Sequence, residues 1–180
     1  MSRNYIIILV LVLIIFILYN MYYKSGKQKS NKINLPIGAE TIIDVLNKMS
    51  HKYPNHNALM TNKNDIWINL TYSDFFKQVR IFAKGLRMRG IKKGDTVGII
   101  GMNSKEWFIA HLGCLMIGAI SVGIYPTNNK EACEYIINHS KIKMIVVENK
   151  KQFDKFNLDN IHTIISYSEP INNNKTFDWN

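Results

Sequence analysis

His111 and Cys114 stand three positions apart, a spacing that sets two metal-ligating side chains on one face of a helix. Nothing nearby completes a tetrahedral set, so core packing is the better account of both. Gly113-Cys-Leu-Met-Ile-Gly118 has the glycine spacing that begins a P-loop. Ala119-Ile120 follows, where Lys and Ser or Thr are needed to hold phosphate and its metal. These glycines also fall at the end of a helix rather than its start. No G-x-G-x-x-G follows a strand. Ser104 and Ser121 offer hydroxyls for nucleophilic catalysis, but neither has a partner base visible in the sequence. Glu106, Glu131 and Glu134 read as helix-terminus or surface carboxylates. No position is therefore assigned as catalytic, cofactor-binding or metal-binding.

These residues sit in one stretch, Gly94 to Thr127, around which the chain is organised. Thr96 to Ile100 is a short apolar run rich in β-branched residues and predicts a strand. Gly101, Met102 and Asn103 form a turn. Ser104 to Ile117 predicts a helix, capped by Asn103 or Ser104, with Glu106 in its first turn where a negative charge suits the dipole. Gly118 suits a left-handed cap. Ile120 to Ile124 predicts a second strand, ended by Tyr125-Pro126-Thr127. The helix is apolar almost all round, and neither strand alternates cleanly. Both faces of the sheet are expected to be covered, as in a parallel sheet inside a larger protein.

The flanks continue the pattern. Thr41 to Tyr53 predicts an amphipathic helix with Ile42, Val45, Leu46 and Met49 on one face. Ala58–Thr61 and Ile66–Leu70 predict a hairpin across Asn62-Lys63-Asn64-Asp65. Thr71-Tyr72-Ser73-Asp74 is a capping box in its Asp form. The helix that follows places Phe75, Val79, Phe82 and Leu86 on one stripe, widened by Phe76 and Ala83, and turns Lys77, Arg80, Lys84 and Arg87 outward until Gly90 stops it. Asn128 or Asn129 caps a helix from Lys130 to about His139. Met144–Val147 and Ile161–Ile165 predict strands, with a short helix or turn over Lys150–Phe156 between them. From Ser166 the chain is polar and Asn-rich, and no terminal element is expected. Repeated βαβ units predict an α/β fold with a mostly parallel sheet and right-handed crossovers.

The 180 residues are 47% hydrophobic and 20% charged, a globular balance with room for one modest domain. The formal charge is +10, which fits solvated surface lysine first, anionic membrane surfaces second and nucleic acid last, because the basic residues are dispersed. Cys114 and Cys133 form no CxxC and read as reduced buried thiols. Tyr5 to Tyr23 is an apolar run interrupted only by Asn20, about the length that spans a bilayer, with tyrosines at both ends. After its unbroken part, which ends at Tyr19, comes Asn-Met-Tyr-Tyr-Lys, not a small-x-small cleavage site, so a retained anchor is expected rather than a signal peptide. Arg3 precedes the run, whereas Lys24, Lys27, Lys29 and Lys32 follow it, which predicts a single-pass membrane protein with its soluble domain facing the cytosol. The sequons at Asn69, Asn138 and Asn174 matter only for a lumenal domain. The organisation expected is a tail over 1–4, an anchor over 5–23, a polar linker over 24–40 and one domain over 41–180.

Several segments resemble the adenylate-forming enzymes. Leu70-Thr71-Tyr72-Ser73-Asp74-Phe75-Phe76 is similar to their first core motif, LTY-x-E-L. Gly90-Ile91-Lys92-Lys93-Gly94-Asp95-Thr96-Val97 is similar to the G-x-x-x-GD-x-V turn. Asn103-Ser104-Lys105-Glu106-Trp107 and Gly118 through Asn128 resemble the second core motif. Gly123-Ile124-Tyr125-Pro126-Thr127-Asn128, with Glu131-Ala132-Cys133, is most similar to long-chain acyl-CoA synthetases of the bubblegum-type branch. Tyr53 through Leu59 fits the family's opening segment. The resemblance runs from about Thr41 to Ile165 and implies part of the N-terminal domain of the adenylate-forming fold. It implies a ligase that joins a fatty acid to CoA through an acyl-adenylate, using ATP and magnesium. The family's phosphate loop, its ribose aspartate, its arginine and its C-terminal lysine have no counterparts here, so the resemblance implies an inactive fragment that binds none of these cofactors well. The alternative is a naturally short, catalytically dead membrane-tethered binding module.

Overall fold

The computed structural model describes residues 16, 18, 19, 41–63, 65–157, 159 and 161–179. The chain divides into two units, Met1–Leu35 and Pro36–Asn180, and every element named below lies in the second. The expected anchor over 5–23 and linker over 24–40 fall outside the described residues, except Phe16, Leu18 and Tyr19, which are helical and exposed. Among the described residues, no helix is long and apolar enough to cross a membrane.

Helix α1 (Ile42–Lys52) opens on a complete capping box: Asp44 N–H donates to Thr41 Oγ1 at 3.1 Å and Thr41 N–H to Asp44 Oδ2 at 3.0 Å. Strands β1 (Asn57–Lys63) and β2 (Ile66–Thr71) form an antiparallel hairpin whose turn holds Asp65 at φ 61°. Helix α2 (Tyr72–Met88) follows with only half of the predicted box, because Thr71 takes the Asp74 N–H at 3.1 Å while lying at the end of β2. Helix α2 buries Phe75, Val79, Ala83 and Leu86, with Phe76 and Phe82 partly covered, as its stripe requires.

A five-stranded parallel sheet then forms, in the order β4-β3-β5-β6-β7. Its strands are β3 (Thr96–Ile100), β4 (Ile120–Ile124), β5 (Met144–Val147), β6 (Thr163–Ser166) and β7 (Thr176–Asp178). Helix α3 (Lys105–Met116) links β3 to β4. Helix α4 (Lys130–Ser140) returns across β3 to β5, and α5 (Lys150–Phe153) joins β5 to β6. Alternate residues build the two faces. Val97, Ile99, Met144 and Val146 pack with Ala110 and Cys114 of α3 and Leu86 of α2. Ile100, Ile145, Val147 and Ile164 pack with Cys133 and Ile137 of α4. Burying one such side chain stabilises the fold by about 1.5–3 kcal/mol relative to leaving it exposed.

The structure corrects four expectations. Strand β7 is a terminal element that composition hid: three residues long, it pairs with β6 and is followed by Trp179, which stacks on Phe82 of α2 with ring centroids 4.8 Å apart. β6 begins at Thr163, two residues after the predicted start, although Ile161 is fully buried. β4 is not covered on both sides. It is the sheet edge, with Ile120 52% exposed. Helix α3, by contrast, does not wait for other chain to cover it: Ala110 and Cys114 meet the sheet while Ile109 and Leu112 meet α1 and α2. Gly113 explains that contact. A Cβ there would stand 2.7 Å from Phe82 Cδ1, so the glycine serves close helix packing.

Candidate functional site

In a parallel sheet, ligands bind beyond the carboxyl ends of strands where successive crossovers leave on opposite faces. Here that point lies between β3 and β5. β3 feeds α3 on the face of Val97 and Ile99, and β5 leads through α5 on the face of Ile145 and Val147.

Gly101-Met102-Asn103 leaves β3 at this point, and Ser104 turns the chain into α3 by accepting the Trp107 N–H at 3.2 Å. Glu148 leaves β5. Its N–H donates to Ile100 O at 3.0 Å, and its Oε2 accepts the Met102 N–H at 2.9 Å. One carboxylate thus bridges the two loops. Tyr167, just past β6, closes the crevice from the far side. A Cβ on Gly101 would coincide with its hydroxyl and lie 2.8 Å from Glu148 Cβ. Burial, with Glu148 and Glu106 nearby, pushes the Tyr167 phenol up to about 12. Ser104 eases that shift, but the pair falls short of hydrogen-bond geometry. The Tyr167 hydroxyl is buried and has no hydrogen-bond partner among the described residues.

Two cavities share Met102 and Asn103. One, of about 470 Å³, runs beneath the hairpin and is walled by Leu59, Ile68, Leu70, Ser104, Glu148 and Tyr167. The other, of about 450 Å³, lies toward the edge strand and is walled by Gly101, Trp107, Gly123, Ile124 and Tyr125-Pro126-Thr127. The cavity toward the edge strand is mostly apolar with a few polar groups, the composition of a small-molecule site, whereas the one beneath the hairpin mixes apolar walls with the charged side chains of Lys105, Glu106 and Glu148.

Of the sequence candidates, His111 and Cys114 are not brought together. Cys114 is fully buried against the sheet, and burial raises its thiol to about 12. His111 turns instead to Ser121 of β4, with Nδ1 and Oγ 2.6 Å apart, and stacks on Trp107 at 5.5 Å. Sequence reasoning missed this pair, which stands ten positions apart. Strand parity could have found it, because Ser121 lies beside Val97 in register and so faces α3. Burial lowers the His111 pKa, which suits a neutral ring held by one hydroxyl. Glu106 lies 3.6 Å from Lys105, and Glu134 lies 3.9 Å from Lys130. Glu131 stands in the first turn of α4. No group of three His, Cys, Asp or Glu that can hold a metal occurs among the described residues.

Asp95, in the turn before β3, has a structural role at the opposite end of the sheet. Its carboxylate accepts from Lys143 Nζ at 2.6 Å and from the Lys92 N–H at 2.8 Å, and the Lys143 bond leads in holding it below the usual carboxylate range.

A family model described as AMP-binding enzyme matches residues 46–179. The chain is 38% identical over 136 residues to a long-chain-fatty-acid–CoA ligase, ACSBG2, of Xenopus laevis, covering 73% of this chain and 18% of that protein. It is 33% identical over 146 residues to the Homo sapiens ACSBG2 ligase, covering 77% of this chain and 22% of the relative. The chain therefore spans about a fifth of the length of these relatives. A crystal structure of coronafacic acid ligase from Pectobacterium brasiliense superposes with a TM-score of 0.69 at 20% identity, over 76% of this chain and 28% of that one. That likeness shows the fold.

Proposed function

The chain belongs to the AMP-binding enzyme family, and from that premise we propose that it is the N-terminal part of a membrane-anchored long-chain fatty acid–CoA ligase. On this reading the whole enzyme converts fatty acid, ATP and CoA into acyl-CoA, AMP and pyrophosphate. The observation that carries it is the match over residues 46–179, within which Tyr125-Pro126-Thr127 and Gly101-Met102-Asn103 together wall the apolar cavity at the carboxyl ends of β3 and β4. This chain contributes the wall and the scaffold behind it.

The residues present do not fit a triphosphate. The Met102 N–H is already taken by a carboxylate, and the Trp107 N–H by Ser104. Glu148 would repel phosphate at this crevice, and Lys105, the nearby cation, is drawn to Glu106 at 3.6 Å. The chain alone is therefore expected to form no acyl-adenylate, and fatty-acid-dependent ATP–pyrophosphate exchange by pure full chain would overturn that. ATP, CoA and magnesium belong to the complete enzyme on this reading. The anchor is the apolar run Tyr5–Tyr23, and the lysines that follow it favour a domain in the cytosol. Asn138 and Asn174 are exposed, so glycan attachment to either in microsomes would show the reverse orientation.

A catalytically dead, membrane-tethered binding module is the second reading, favoured by one observation: helix α3 is covered by this chain's own α1, α2 and sheet. A graft separates the two. Replacing the matching stretch of the frog ligase by residues 46–179 is expected to preserve long-chain acyl-CoA formation. A folded but inactive graft would overturn the ligase reading.

A further inference from the structure

Helix α2 repeats its chemistry at an interval of seven. Lys77-Gln-Val-Arg80-Ile81 returns as Lys84-Gly-Leu-Arg87-Met88. Seven residues are close to two helical turns, so each residue stands nearly above its counterpart. Val79 and Leu86 are fully buried against the core. Lys77, Arg80, Lys84 and Arg87 are exposed. Among them lie two large apolar residues that the core does not use: Ile81, 61% exposed, and Met88, 77% exposed. Lys77, Arg80, Ile81 and Lys84 together line a shallow hollow on this face. Among the described residues no ion pair neutralises any of the four cations. Asp74, the helix's one acidic residue, is occupied at the N-terminus by Thr71. Arg89 is turned away, with its guanidinium 4.5 Å over the Phe177 ring.

We propose that the outer face of α2 docks on an anionic lipid bilayer, with its cations at the headgroups and Ile81 and Met88 entering the interface. Charge complementarity argues for this occupant. A solvated lysine face has no use for two bare apolar side chains, whereas a helix lying in a membrane interface needs cations beside apolar residues on one surface. An acidic protein would satisfy the cations, and nucleic acid would too, but the ring beside the stripe, Phe76, is partly buried and lies under the Arg80 guanidinium at 6.0 Å rather than open for base stacking. The surface is separate from the crevice and needs neither the ligase reading nor the anchor.

The test uses the full chain carrying Met88→Cys and a polarity-sensitive dye. Cys114 and Cys133 are buried, and burial raises both thiols, which directs the dye to position 88. A second protein carries the dye at Tyr135→Cys on α4, an exposed position on the other side of the sheet. Each is mixed with phosphatidylcholine vesicles, with vesicles also containing phosphatidylserine, and with polyglutamate. The dye at 88 is expected to move into an apolar environment, and to be quenched by spin-labelled lipid, only where phosphatidylserine is present and salt is low. The dye at 135 is expected to stay in water throughout. Each basic residue near such a surface contributes about 1 kcal/mol, roughly five-fold in the docked population, so Lys77→Gln with Lys84→Gln is expected to lower docking about 30-fold. No response at 88, an equal response in both kinds of vesicle, or a response to polyglutamate alone would each overturn the proposal. Flotation with neutral vesicles reports separately on the anchor.

Discussion

Gly101→Ala tests the packing at the crevice most directly. Gly101 does not have the positive φ of Gly90, Gly94 and Gly118, so its backbone would accept alanine, and the cost is steric. The new Cβ would coincide with the Tyr167 hydroxyl and lie 3.0 Å from Tyr167 Cζ and 2.8 Å from Glu148 Cβ. Neither neighbour can retreat cheaply, because Tyr167 is partly buried with its ring against the core and Glu148 holds the Met102 N–H. Overpacking of this kind costs about 1–3 kcal/mol, and two opposed neighbours place it in the upper half. In urea unfolding of the full chain in detergent, followed by tryptophan fluorescence, a loss of about 2 kcal/mol moves the midpoint by roughly 1 M at a typical slope. Tyr167→Phe removes a buried hydroxyl that has no partner, so alone it is expected to be neutral or to stabilise by up to about 1 kcal/mol. Combined with Gly101→Ala it is expected to restore part of the loss, leaving the contacts to Cζ and Glu148. A Gly101→Ala protein within about 0.5 kcal/mol of the parent would refute the packing argument. So would a Tyr167→Phe protein that loses more than about 1 kcal/mol, since that would show the hydroxyl to be satisfied.

Three further outcomes are expected. The depressed His111 pKa means that the unfolded chain binds a proton more readily, so stability falls as pH drops below the ordinary value of 6.5 and levels off below the folded-state value. His111→Gln should flatten that part of the stability–pH curve, and an unchanged slope would discount the burial of the ring. Cys114, with its thiol near 12, should resist alkylation at neutral pH until the protein unfolds, with Cys133 slow but faster than Cys114; rapid native labelling of Cys114, read by mass spectrometry, would contradict the core assignment. Leu86→Ala opens a cavity where α2 meets the sheet and should cost about 2–5 kcal/mol by urea unfolding, whereas Met88→Ala on the outer face should cost under about 0.5 kcal/mol.

The parallel sheet was legible because β3 and β5 are continuous apolar runs, Ser104 and Asn129 mark helix starts by side-chain hydrogen bonds that act locally, and Gly118 marks a helix end by its positive φ. The hairpin and the buried stripe of α2 were legible for the same reason. What escaped depends on neighbours distant in sequence. β7 exists because β6 offers an edge and Trp179 finds Phe82, neither of which its own polar surroundings announce. The exposure of β4 follows from strand order, which periodicity does not contain. At the site, the motifs bounding the crevice were visible, but its closure by Glu148 and Tyr167 was not, since those side chains meet Gly101 from 47 and 66 positions away.

The reversal of strand order also sets a timetable for synthesis. β3, α3 and β4 emerge first and can assemble as one unit, but they leave the other side of β3 bare. Its partner β5 begins only at Met144, twenty residues after β4 ends at Ile124. At about 5–20 residues per second, that side of β3 stays unpaired on the ribosome for on the order of 1–4 s. Ile99 and Ile100, fully buried in the finished sheet, spend that interval beside an open row of backbone donors and acceptors. The nascent chain is thus most in need of shielding while α4 is being made, and rare codons between Pro126 and Lys143 would lengthen that exposure.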